Sequence, residues 1–310
     1  MQELIITFSK HRRPKMQKDP EPTKWEHYVS RVYYKGFSEI KRKRTKEKLY
    51  AWVTDVESHE INNRQLDIYN FCAENNLYEL RNDEGGYIAR NFIEKKFGRI
   101  EQEIGVVLNG IKEKSKNEKC LECTSILSEY EKSILIILIT MLLFRDPETI
   151  NYGVRVLQQN NPEMDEREAR NFTLMNLIPL GIDPEWDKNT IIRTATEKYS
   201  GMEFQIGIAP DDVIITSDRP VIEWKPDKNE LYNRPKAVMF PLSSRLCLYL
   251  FPITDQSQIG RSFFFALSDT QISDIQINVA VCARRWIFSR ELLTEEQRER
   301  IKEGRRRLIT

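Results

Sequence analysis

Hydrophobic and polar positions follow a strand-like pattern near the start of the chain, a helical one through its middle and a strand-like one again towards its end. Over residues 24–56, Tyr28, Val29, Val32, Tyr33 and Tyr34 form one run of strand formers, and Leu49-Tyr50-Ala51-Trp52-Val53 forms another. They predict an N-terminal strand pair. Between them Lys41-Arg42-Lys43-Arg44-Thr45-Lys46-Glu47-Lys48 reads as a solvated basic loop. From Ile88 the period changes: Phe92, Phe97, Ile100, Ile104, Val107 and Leu108 recur at near-helical spacing and predict an amphipathic helix to about Ile111. Glu94 and Glu101, seven residues apart, face the same side of it.

Residues 112–126 are a mostly polar connector, and Ser128 to Phe144 predicts a helix whose second half is apolar nearly all round. It ends at Arg145-Asp146-Pro147, because proline disfavours helical geometry at the residue before it. Two more helices follow, from about Pro147 to Gln159 and from Asp165 to Leu177, the second capped by Asp165 with Glu168. The turn-rich Pro179-Leu180-Gly181-Ile182-Asp183-Pro184 leads to a short helix near Asp187 to Tyr199.

Strand patterns resume at Met202. They cover Glu203 to Ile208, Val213 to Thr216, Val221 to Trp224, Ala237 to Pro241 and Leu246 to Phe251. Ile272 to Arg285 reads as a helix, Trp286 to Ser289 as a last strand, and Thr294 to Arg307 as a charged terminal helix. Helices grouped between strands define an α+β fold: a helical middle section packed on a mixed, largely antiparallel C-terminal sheet, with the N-terminal strand pair. The expected organisation is an N-terminal extension (1–24), a single α+β domain (25–290) and the charged C-terminal helix (291–310).

Charge narrows the function classes. The 48 Lys and Arg residues nearly balance 47 Asp and Glu, a net charge of +1, which argues against a protein that coats DNA but leaves room for a local basic patch. The longest apolar run, Ile134 to Phe144, falls well short of the roughly 20 residues that span a bilayer, so no membrane partner is expected. Five cysteines form no disulfide framework, and the lone Cys120-x-x-Cys123 lacks partners for a zinc site; a reducing, cytoplasmic location is the expectation.

Several segments, in this order, resemble the Domain of Unknown Function 4238 family of bacterial proteins. Its His-Tyr-Val-Pro-x-Phe-Tyr-Leu-type opening is similar to His27-Tyr28-Val29-Ser30-Arg31-Val32-Tyr33-Tyr34. Its paired-glutamate helix resembles Asn91 to Glu101, and its Arg-x-Pro helix end resembles Arg145-Asp146-Pro147. Its Ser-Asp-Asn-Pro and Phe-Pro-Leu-Ser-Pro stretches are similar to Ser217-Asp218-Arg219-Pro220 and Phe240-Pro241-Leu242-Ser243-Ser244. The chain departs from the pattern at Ser30, where proline is expected, and at Arg219, where asparagine is expected.

These residues suggest a polar cleft. His27, Asp218 and Glu101 are the candidate catalytic groups, and Arg145, Arg284, Ser217 and Asn278 the candidate substrate contacts. Glu94, Glu101 and Asp218 would offer hard oxygen ligands to magnesium or manganese, and the two arginines would clamp a phosphate. The reaction expected of such a site is cleavage of a phosphodiester or nucleotide by a metal-activated water. The alternative is a non-enzymatic module that binds nucleic acid or an acidic protein through the basic stretch 41–48, the tail Arg305-Arg306-Arg307 and aromatics including Trp25 and Trp52. Each candidate also has an ordinary structural reading: a hydrogen-bonded His27, surface glutamates, Arg145 at a helix C-terminus, and Asp218 bonding the backbone of its own turn.

Overall fold

The computed structural model describes residues 25–43, 46–58, 65–88, 90–177, 197–199, 201–224 and 235–306. The expected N-terminal extension, the turn-rich segment 179–184 and most of the helix expected at 187–199 lie outside these residues.

The architecture is α+β. Two larger sheets share one hydrophobic core that runs from Tyr28 to Ile301. The first has the order β11-β6-β10-β9-β8, built from Met202–Ile208 (β6), Ile222–Trp224 (β8), Ala237–Ser243 (β9), Leu246–Pro252 (β10) and Ser262–Ala266 (β11). Only the β11–β6 pair is parallel; the other neighbours are antiparallel. The second sheet runs β2-β3-β12-β7, from Glu39–Lys43 (β2), Lys46–Asp55 (β3), Trp286–Ser289 (β12) and Thr216–Ser217 (β7), with the short Leu66–Asp67 (β4) also on β3. Thus a strand from the end of the chain closes a sheet begun near its start. A separate ribbon pairs Trp25–His27 (β1) with Ala73–Asn75 (β5).

Residues Arg31–Tyr34, expected as strand, are a one-turn helix, α1. Ser30 begins it by accepting the Val32 amide, and the Tyr33 and Tyr34 amides bond to its carbonyl. Where the family favours proline, serine therefore supplies a cap. The turn lets two adjacent tyrosines engage both sheets, which a strand with alternating side chains would not allow. Tyr33 stacks on Phe240 of β9 and bonds to Pro241 O at 2.8 Å and Thr216 Oγ1 at 2.6 Å, while Tyr34 packs on Phe288 of β12 at 4.7 Å between ring centroids.

The basic stretch is likewise not a loop. Lys41 lies in β2 and Lys48 in β3, opposite one another in an antiparallel hairpin whose residues 44–45 lie outside the described set. Of Val213 to Thr216 only Thr216 enters a ladder, and strand β11 was not expected at all.

The helical middle matches its periodicity closely. Phe92–Lys114 forms α2, Glu118–Leu121 the short α3 inside the expected connector, Glu129–Phe144 α4, Pro147–Asn160 α5 and Glu166–Leu177 α6. Helix α4 starts with a capping box between Ser128 and Glu131, and Asp146 caps α5, with Pro147 in its first turn. Towards the end, Asp269–Cys282 (α7) and Glu295–Arg306 (α8) pack closely at Gly304, where an added Cβ would lie 2.6 Å from Ile277 O.

Candidate functional site

The candidate residues other than Asn278 fall into two groups with separate partners. The first surrounds Arg145, the residue that ends α4 and is buried to 1% exposure. Its guanidinium donates to Glu101 Oε1 at 3.0 Å and to the backbone carbonyl of His27, lies 3.9 Å from Glu94 Oε2, and sits 3.9 Å above the Phe97 ring. Arg145 Nε also donates to Tyr78 Oη at 3.3 Å. The helical spacing of Glu94 and Glu101 puts both carboxylates on the side of α2 that meets Arg145. Their carboxylates, together with Tyr78, hold the Arg145 guanidinium charged against the opposing effect of its burial.

The His27 imidazole faces elsewhere. Its Nε2 lies 2.8 Å from Tyr69 O, which fixes Nε2 as the protonated nitrogen, and the Tyr69 ring meets it edge-on. Burial, aided by the nearby Arg145 and Arg31 charges, holds His27 below the usual imidazole range and so favours the neutral ring.

Asp218 organises the second group. The short β7 ends beside the turn between α7 and β12, and the carboxylate accepts three backbone amides there: Arg284 and Arg285 at 2.8 Å and Trp286 at 3.0 Å. Burial pushes Asp218 upward, and these amides act against that shift. Ser217 is fully buried, and its hydroxyl caps the turn by accepting the Arg219 amide. Arg284 extends to Glu148 at 3.6 Å and Glu74 at 3.9 Å. Asn278 belongs to neither group: on α7, it donates to Asp274 O one turn earlier.

Arg219, the departure from the asparagine expected here, is half-buried and reaches Asp146 at 2.5 Å as well as Glu148. It thereby ties the turn after β7 to the start of α5. Beneath lie Tyr34, whose hydroxyl is 2.9 Å from Cys72 Sγ, and Tyr28, whose amide bonds Cys72 O. Cys72 has a φ of 53°, a left-handed backbone that costs a non-glycine residue about 1–2 kcal/mol. These two tyrosines hold it there, and burial pushes its thiol well above the usual range.

The carboxylates expected as metal ligands have protein partners. Glu94 and Glu101 are turned to Arg145, and both Asp218 oxygens are taken by amides. Among the described residues no group of three or more His, Cys, Asp or Glu side chains is placed to hold a metal ion.

Sequence reasoning missed two buried acids beside Tyr78. Glu26 precedes His27, is buried to 1% exposure, and accepts the Tyr78 amide at 2.8 Å. Glu79 is buried to 2% and accepts the Asn91 amide at 2.9 Å. Neither lies on a periodic pattern, so no local signal marked them.

Glu101 also lines an open cleft of about 500 Å³. One wall is a single face of α2, with Glu101, Gly105, Leu108 and Lys112; the others come from Lys35 and Gly36, from Ile40 and Glu47 of the hairpin, and from the β9–β10 turn. Gly36 is required there, since a Cβ would sit 2.7 Å from Leu242 O.

Fold and polar groups together define an α+β protein organised around a short strand ribbon and a buried arginine–carboxylate group. The chain matches the family model described as "Protein of unknown function (DUF4238)" over residues 26–291, and it belongs to that family. No curated protein and no solved structure matches it. Among the described residues no helix is long and apolar enough to cross a membrane.

Proposed function

We propose that this chain is a non-enzymatic binding module for single-stranded nucleic acid, engaged along the β2–β3 hairpin and the cleft at its foot. The observation that carries the reading is the hairpin's charge. Lys41, Arg42, Lys43, Arg44, Lys46 and Lys48 stand against Glu39 and Glu47 in a chain that is otherwise nearly neutral. Lys35 and Lys112 carry the same sign into the cleft. The ion pairs here are exposed: Lys35 with Glu47, Lys41 with Glu39 and Lys48 with Asp67. Solvent screens such pairs, so phosphates can replace the carboxylates at small cost. Tyr50, with Lys41 Nζ 4.9 Å from its ring centre, adds an aromatic surface beside the charge.

The geometry supports the phosphodiester- or nucleotide-cleaving hydrolase less well. His27, Asp218, Glu101, Arg145 and Ser217 are engaged by protein groups, four of them buried, and the metal ligands do not converge.

Fluorescence anisotropy with labelled single-stranded DNA and RNA tests the reading. Binding should weaken with salt, with a log–log slope of about −2 if three phosphates are neutralised. Lys41→Glu combined with Lys48→Glu should lower affinity at least about tenfold and flatten that slope. Salt-independent binding, unchanged affinity in the reversed variant, or strand cleavage in magnesium or manganese would refute it.

A further inference from the structure

Four glutamates lie in or beside the Arg145 group: Glu94 and Glu101 pair with Arg145, Glu26 accepts the Tyr78 amide, and Glu79 follows Tyr78 in the chain. Glu26 and His27 come from β1, Tyr78 and Glu79 from the segment after β5, Glu94 and Glu101 from α2, and Arg145 from the end of α4. Arg170 of α6 approaches Glu26 but gives its Nη2 to Leu77 O at 2.9 Å and is shared with Glu74 and Glu166. Arg145 bonds Glu101 and lies within 3.9 Å of Glu94. Glu26 and Glu79 are the most deeply buried of the four acids, and each receives one backbone amide. Among the described residues, the buried Glu79 Oε2 has no hydrogen-bond partner, and Glu94 Oε2 has only the Arg145 guanidinium at 3.9 Å. A fully ionised buried carboxylate with an unpaired oxygen is costly, and crowding several makes it more so. A proton removes one charge and adds one donor.

We infer that this cluster takes up one proton around neutral pH, carried by Glu26, and that the proton is a pH-sensitive latch holding β1 on the Tyr78 segment that packs against Arg145. Glu26 is the appropriate carrier because it is the most deeply buried of the four and, unlike Glu94 and Glu101, has no ion-pair partner among the described residues. Its Oε2 accepts the Tyr78 amide and leaves Oε1 for the proton. Its carboxyl is pushed up to about 7, first by burial and then by the charges of Glu79 and Glu94, against the Tyr78 amide and Arg145. An acid whose folded value lies above its unfolded one contributes stability in full below the unfolded value. That contribution is lost as pH rises through the folded value, so the latch tightens in acid and loosens towards alkaline pH. His27, held low by burial, acts in the opposite direction, so the test must isolate Glu26.

Glu26→Gln keeps the shape of the neutral acid and cannot ionise. Urea denaturation of the full chain and of this variant, compared from about pH 5 to about pH 8, isolates the latch. The folded-to-unfolded ratio of the native chain should fall relative to the variant by roughly tenfold per pH unit up to about 7, then level off. Infrared difference spectra of native chain minus variant should show a neutral carboxylic carbonyl at pH 7. Parallel stability curves overturn the proposal. If the variant fails to fold, the native chain alone decides the matter. A neutral carboxylic band that disappears on raising the pH through about 7 supports the latch, and absence of that band at neutral pH overturns it.

Discussion

Asp218 shows how one side chain can resemble a catalytic group and serve as a fastener. Its three amide bonds join β7 to the α7–β12 turn, so replacing it removes several charge-assisted contacts at once. Asp218→Ala is expected to cost about 3 kcal/mol in chemical denaturation, while a protein with unchanged stability would point to a free functional carboxylate. Arg145 is the stronger case, because its loss leaves Glu94 and Glu101 with no cation between them. Arg145→Met should cost about 3–5 kcal/mol. Adding Glu101→Gln should recover part of that loss, and a double-mutant cycle that is simply additive would show that the pair is not coupled.

At the scale of elements, caps and close approaches decide where helices sit. The capping box at Ser128 begins the most apolar helix, and Ser128→Ala should lower stability by about 1 kcal/mol. Gly304→Ala should cost about 1–3 kcal/mol by forcing α8 away from Ile277 of α7, an overpacking effect seen as a lowered thermal midpoint. Most elements were legible in the residues, since a helix such as α4 or α6 announces itself through period and caps. What could not be read was set by distant partners. Arg31–Tyr34 became helical because Tyr33 and Tyr34 reach strands far along the chain, and β11 exists because β6 offers it a parallel neighbour. The same limit applied to the candidate site. The spacing of Glu94 and Glu101 placed them on one face of α2, whereas their meeting with Arg145, the three amides on Asp218 and the burial of Glu26 depend on tertiary packing.

For the whole molecule, the Arg145 and Asp218 groups tie distant elements together, and partner binding is proposed for the basic hairpin. Hydrogen–deuterium exchange of the full chain, with and without a saturating single-stranded oligonucleotide, separates these roles in one measurement. Protection should appear in the hairpin Glu39–Asp55 and on the α2 turns that line the cleft, with no change around His27 and Asp218. Protection centred on β1 and the turn after β7, with the hairpin unchanged, would contradict the account.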